Sequence, residues 1–151
     1  MNINDILSPG CIACDVETSS KKRTLEKLAE LITQSHTELT GEEIFESLIA
    51  RERLGSTGIG HGVAIPHGRI HTDDKSIAAF MQLKNGVDFD TIDGEPVSLV
   101  FGLLVPEHST DEHLQILASI AELFSDKTRC EQLRQAKTPD EVFKLLTAPQ
   151  Q

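Results

Sequence analysis

The run SLVFGLLVP, from Ser98 to Pro106, is almost continuously apolar and closes on a proline. Such a run, with no polar residue on alternate positions, fits a strand covered by helices on both faces. The flanking segments agree with that reading. Upstream, GCIACDVE (10–17) and SIAAFMQL (76–83) read as further strands, and VDFDTIDGEPV (87–97) as a short strand with an Asp-Gly turn. Ser19 and Ser20 are candidate caps for a helix to about His36, in which Leu25, Leu28, Ala29 and Ile32 share one stripe. Thr40 and Glu43 have the spacing of a capping box and open a second helix to about Arg53, ended by Gly55. Downstream, a helix from about Thr110 to Phe124 carries apolar residues on more than one face and should pack deeply. Shorter helices follow at 127–136 and 139–147, the last capped by Thr138 with Pro139 at its first position. Helices before and after strands, around one central apolar strand, predict an α/β fold built as a three-layer sandwich.

At 151 residues the chain fits one domain, and a domain of that length buries roughly 70% of the surface its unfolded chain exposes. The net charge of −10 argues against nucleic acid, because a long phosphate backbone would be repelled without an outweighing basic patch. The longest basic run, Lys21, Lys22 and Arg23, reads as the first turn of a solvated helix. Partners are expected to be proteins, including ones with a basic face. The N-terminus MNINDILSPG lacks the charged and apolar regions of a signal peptide, and no stretch approaches the roughly 18 apolar residues of a membrane span. A cytoplasmic protein without membrane insertion is expected. Cys11 and Cys14 form a C-x-x-C that could serve redox work or half a zinc site, but no second ligand pair follows. The alternation in CIACDV fits a strand with small buried residues, and Cys130 in a helical pattern reads as structural.

The chemistry concentrates in GSTGIGHGVAIPHGR, Gly55 to Arg69. His67 lies between Pro66, whose φ is fixed, and Gly68, which has no side chain to crowd a ligand. Glycines at 55, 58, 60, 62 and 68 offer bare backbone amides suited to oxyanions. An imidazole with an ordinary pKa of about 6.5 is largely neutral near pH 7 and can attack phosphorus through a nitrogen lone pair. The competing reading is a turn histidine bonded to a carbonyl. Arg51, at the end of the preceding helix, could fold its guanidinium over the loop to meet phosphoryl oxygens, as could Arg53; both equally suit a helix C-terminus. His113, in the first turn of the deep helix, would face the same phosphoryl group if the end of the central strand adjoins the His67 loop; otherwise it is an exposed helix-start histidine. Gly55, Ser56, Thr57 and Gly68 are the candidate phosphate-binding residues, although the two hydroxyls could simply stabilise a turn. His61, His67, His71 and His113 match no helix-borne zinc spacing, and no metal or other cofactor is expected. His36, His71 and His108 read as a helix end, a turn and a loop residue. No G-x4-G-K-[ST] is present, so the phosphoryl source is expected to be a phosphoprotein rather than a bound nucleotide.

DIL near the start, RERLGSTGIGHGVAIPHGR (51–69), FGLLVP (101–106) and EHLQILASIAELF (112–124) together resemble the enzyme IIA domains of the phosphoenolpyruvate-dependent phosphotransferase system. The resemblance is to the branch with the mannitol and fructose domains, and most closely to its stand-alone nitrogen-regulatory members. It implies one type-2 EIIA domain over residues 1–151, with a mixed, mainly parallel sheet flanked by helices. It further implies a phosphotransferase component with a covalent phosphohistidine: His67 phosphorylated on Nε2, Arg51 as the active-site arginine and His113 as the second active-site histidine. The implied donor is a small phosphocarrier protein of the HPr or NPr type. The implied output is binding of regulatory target proteins according to phosphorylation state; the alternative is a sugar-uptake component passing phosphate to a separate IIB protein.

Overall fold

The computed structural model describes residues 2–71, 75–109 and 111–149, and for 111–114 the backbone alone. Two short 3-10 turns lead into strand β1 (Ile12–Val16), then helices α1 (Lys21–Ser35) and α2 (Gly41–Leu54). Strands β2 (Gly58–Gly60), β3 (Val63–Ala64), β4 (His67–Ile70), β5 (Ile77–Val87) and β6 (Val97–Pro106) follow, and helices α3 (Asp111–Leu123), α4 (Lys127–Gln135) and α5 (Pro139–Thr147) close the chain. Each expected cap forms. Ser20 accepts from the Arg23 amide, Thr40 and Glu43 make a reciprocal capping box, and Thr138 accepts from Glu141 with Pro139 at the first helical position.

The six strands form one mixed sheet in the order β1-β5-β6-β3-β2, with β4 also pairing β6. β1–β5, β3–β6 and β4–β6 are parallel, while β5–β6 and β2–β3 are antiparallel. β6 is the central strand and almost wholly buried, as its apolar run requires. Its two faces meet different helices. Phe101 stacks edge-on against Phe80 and Phe124, the residue just after α3. Gly102, one position on and therefore on the opposite face, lies against Leu28 of α1, where a Cβ would come within 2.5 Å of the leucine side chain. Helices cover both faces, which is the three-layer arrangement.

Three details depart from the expectations. β5 runs to Val87 through the exposed Lys84, Asn85 and Gly86, and no separate strand forms between Asp88 and Pro96. α3 buries one stripe, Ile116, Ile120 and Leu123 with Phe124 after it, and leaves Ala118 exposed. Lys21 is half-buried and paired rather than a free surface charge: its ammonium lies 3.2 Å from the buried Glu52 carboxylate, 3.1 Å from Asp90 and 5.6 Å from the centre of the Phe89 ring. The C-x-x-C cysteines are free thiols, with Cys11 buried and Cys14 in β1, where burial raises its pKa.

Candidate active site

β3 and β4 are two stretches of one chain segment running beside β6. Val63 pairs with Leu99 and His67 with Leu103, so the register is unchanged across the gap. Pro66 interrupts the ladder because it has no N-H to donate. Its carbonyl still accepts from the Leu103 amide at 2.9 Å, while the Ile65 amide turns away to the Thr57 carbonyl at 3.0 Å. The consequence is that the Ile65 carbonyl is presented to His67, whose Nδ1 lies 2.8 Å from it. A carbonyl only accepts, so this Nδ1 carries the ring proton and the lone pair of the neutral imidazole sits on Nε2.

His67 is half-buried at one side of a cleft of about 520 Å³ lined by Ser47, Ala50, Arg51, Leu54, Gly68 and Arg69. Burial, and then the Arg51 guanidinium, hold its pKa below the ordinary histidine value, against the Ile65 carbonyl and the Glu52 charge, which pull it up. The imidazole is therefore neutral at pH 7. Arg51 is partly exposed and donates from Nη1 to the Gly55 carbonyl at 2.8 Å, which places a guanidinium at the end of α2 on the His67 cleft. Arg53 is exposed and does not line that cleft.

Of the four residues expected to bind phosphate, only Gly68 lines the cleft. Ser56 donates its hydroxyl to the Phe89 carbonyl at 2.6 Å and accepts from the Gly58 amide. Thr57 is buried and donates its hydroxyl to Glu52. The Gly55 carbonyl faces Arg51. The Ser56 and Thr57 hydroxyls thus stabilise the turn, the alternative that their types had left open. Packing by itself requires Gly68 to be small. A Cβ there would lie 2.1 Å from Ser47 Oγ and 3.0 Å from the Ser47 backbone, so the glycine lets α2 approach β4.

Two polar cleft residues carry no role in the sequence reading. Ser47 donates to the Arg69 carbonyl at 2.7 Å, tying α2 to β4, and Arg69 Nη1 donates to the carbonyls of Glu107 and Ser109 at 2.9 and 2.8 Å. The latter bonds bring the loop before α3 alongside the His67 strand, as an active His113 would require at the level of the backbone. His113 lies in the first turn of α3; the expectation for its side chain falls outside the described residues. His61 is elsewhere, exposed beside a second cleft of about 670 Å³ that includes Asp93 and Arg134. His36 caps α1, and the exposed His71 pairs with Glu107 at 2.9 Å.

Comparison with known proteins places these residues in context. Residues 5–148 match the family model for the phosphoenolpyruvate-dependent sugar phosphotransferase system, EIIA 2. A nitrogen regulatory protein of Pseudomonas aeruginosa is 42% identical over 146 residues, covering 97% of this chain and 95% of the relative. The crystal structure of nitrogen regulatory protein IIA-Ntr from Neisseria meningitidis superposes with a TM-score of 0.89 at 45% identity, covering 96% of this chain and 99% of the other. IIA mannitol from Escherichia coli superposes with a TM-score of 0.76 at 25% identity, covering 92% and 97%.

Proposed function

This chain belongs to the EIIA 2 family of the phosphoenolpyruvate-dependent sugar phosphotransferase system, and on that premise we propose that it accepts a phosphoryl group on Nε2 of His67 and signals through its phosphorylation state. The observation that carries the reading is the Nδ1 contact to the Ile65 carbonyl, which leaves the Nε2 lone pair as the nucleophile.

In the proposed step the donor is a phosphohistidine on a small phosphocarrier of the HPr or NPr type. The lone pair of Nε2 attacks phosphorus, the P–N bond to the donor imidazole breaks as the new one forms, and the donor ring leaves with its electron pair. The His67 ring becomes a phosphoimidazolium that keeps its Nδ1 proton, and the Ile65 carbonyl takes a stronger hydrogen bond from it. No proton has to move through the site, so alignment and charge stabilisation dominate. Arg51 is the guanidinium at hand for the transferring oxygens, and His113, at the start of α3, is proposed as the second active-site histidine. Gly55 and Gly68 serve through geometry, one by engaging Arg51 and the other by seating α2 on β4.

The regulatory output is favoured over sugar uptake because the nitrogen regulatory relatives are 42% and 45% identical to this chain, whereas IIA mannitol, matched over a similar length, is 25% identical. A dianionic phosphoryl group at the mouth of the cleft, only partly offset by the positive ring, would be rejected by a target face complementary to neutral imidazole, which makes the modification a switch. No helix among the described residues is long and apolar enough to cross a membrane. The reading is tested by incubating the chain with phosphoenolpyruvate, enzyme I and a phosphocarrier and measuring its intact mass at alkaline pH. One acid-labile phosphoryl group is expected on the wild type and none on His67→Ala; a modification that persists in the variant, or an unmodified wild type with either carrier, refutes it.

A further inference from the structure

Behind His67 a continuous line of buried contacts runs back to the first turn of α1. Lys21 occupies the first helical position, where its charge opposes the helix dipole. It is there for a tertiary contact: its Nζ lies 3.2 Å from Glu52 Oε2, and Asp90 and the Phe89 ring complete its surroundings. Burial lowers the Lys21 pKa, but bonds and charges from Asp90 and Glu52 outweigh it and leave the net shift upward, so the lysine stays charged. Glu52, with 1% of its side chain exposed, uses both oxygens on one residue. It accepts the Thr57 amide on Oε2 at 3.3 Å and the Thr57 hydroxyl on Oε1. The Thr57 carbonyl in turn accepts the Ile65 amide at 3.0 Å, and the Ile65 carbonyl accepts Nδ1 of His67 at 2.8 Å. Glu52, Thr57 and Ile65 are each no more than 6% exposed, so water is poorly placed to replace a missing link.

We propose that Glu52 and Thr57, held in place by Lys21, are positioning residues for His67: they anchor the Ile65 backbone through its N–H, which sets the direction of the Ile65 carbonyl in the next peptide and thereby selects the imidazole orientation and tautomer that put the lone pair on Nε2. The role in phosphotransfer rests on the reading of His67 as the phosphoryl acceptor; the effect on the tautomer does not. Neither residue touches the transferring group. Thr57 is engaged from three sides, by its amide, its hydroxyl and its carbonyl, and this leaves the loop from Gly55 to Gly58 a single way to sit beneath the histidine. The Glu52 charge also acts on the imidazole directly, raising its pKa against the lowering by burial and Arg51.

The experiment compares Thr57→Val, Thr57→Ser and Glu52→Gln with the wild type and with Gln82→Ala, a variant weakened far from the cleft. The tautomer of His67 is read at pH 8 from long-range proton–nitrogen correlation spectra of the imidazole, and the phosphorylation rate is measured separately. Thr57→Val deletes the hydroxyl at nearly constant shape, and Glu52→Gln leaves a single acceptor oxygen facing Thr57 and Lys21. Both are expected to turn a single Nδ1-protonated ring into a mixture of tautomers and to slow phosphorylation by about tenfold through lost alignment. Thr57→Ser restores both properties, and Gln82→Ala, though less stable, keeps the wild-type tautomer. If Thr57→Val does not fold, Glu52→Gln supplies the same comparison. A wild-type tautomer and rate in the folded variants, or an equal tautomer shift in Gln82→Ala, overturns the proposal. If even the wild type accepts no phosphoryl group, the tautomer spectra still decide the relay while the reading of His67 as acceptor fails separately.

Discussion

Replacing Gly68 by alanine tests whether helix–strand contact, rather than ligand access, explains the glycine after the histidine. The added Cβ would lie 2.1 Å from Ser47 Oγ and 3.0 Å from the Ser47 carbonyl carbon and oxygen. Ordinary contacts between heavy atoms are about 3.5–4.0 Å, so α2 must retreat by at least roughly half an ångström and Ser47 Oγ must swing away. Swinging away breaks its 2.7 Å bond to the Arg69 carbonyl. Losing that bond costs about 1 kcal/mol, and overpacking adds about 1–3 kcal/mol. The sum, about 2–4 kcal/mol, corresponds to a fall in Tm of roughly 5–15 °C for a chain of this size. Urea unfolding followed by circular dichroism measures it. Arg51 lies one turn beyond Ser47 on the same helix, so the retreat also moves the guanidinium and slows phosphorylation. Adding Ser47→Ala removes the closest clash and should recover part of the loss, the backbone shortfall remaining. Stability of Gly68→Ala within about 0.5 kcal/mol of wild type, the usual range for an uncrowded substitution, would refute the packing argument.

The His67 pKa is lowered by burial and by Arg51, which gives pH signatures with a definite sign. Below about 6.5 the unfolded chain binds a proton there that the folded chain does not, so this group's contribution to stability is full above pH 6.5 and is lost as pH falls through the lower folded value; His67→Gln should flatten that part of the stability–pH curve. Phosphorylation should accordingly be insensitive to pH from neutrality upward and decline only on acidification below the lowered pKa, as measured by initial rates in a buffer series. Gln82→Ala should cost about 2–4 kcal/mol in urea unfolding, because the two Gln82 Nε2 hydrogens go to the carbonyls of Leu133 at 2.8 Å and Ala136 at 2.7 Å, with the Arg134 carbonyl a longer, shared acceptor at 3.3 Å, and the Gln82 oxygen accepts the Asp15 amide. An unchanged unfolding midpoint would show that α4 is held without this side chain.

Where local chemistry decides structure, the sequence was readable. Ser20, the Thr40–Glu43 pair and Thr138–Pro139 begin their helices as expected, and the apolar run to Pro106 is the buried central strand. His67 and Arg51 were found from the loop motif, and they do share a cleft. What stayed hidden depends on distant contacts. The extension of β5 through Lys84, Asn85 and Gly86 is polar and exposed, without the alternation that marks a half-buried strand, and it is held by pairing of Val87 with Val97. Gly68 looked like open space beside a ligand because nothing in the tripeptide shows that Ser47 passes behind it. Lys21 looked like an exposed charge in a basic run because its partner is thirty-one residues away. Glu52, between two arginines at a helix end, carried no local sign that it would be the buried carboxylate beneath the loop.

The most direct test of the account is the site of attachment on the phosphorylated protein, read by nitrogen–phosphorus coupling in protein labelled with nitrogen-15 at histidine. The predicted result is a phosphoryl group on Nε2 of His67, with Nδ1 still protonated and facing the Ile65 carbonyl. Attachment through Nδ1, or to another histidine, would contradict it, because the observed hydrogen bond would then hold the wrong nitrogen.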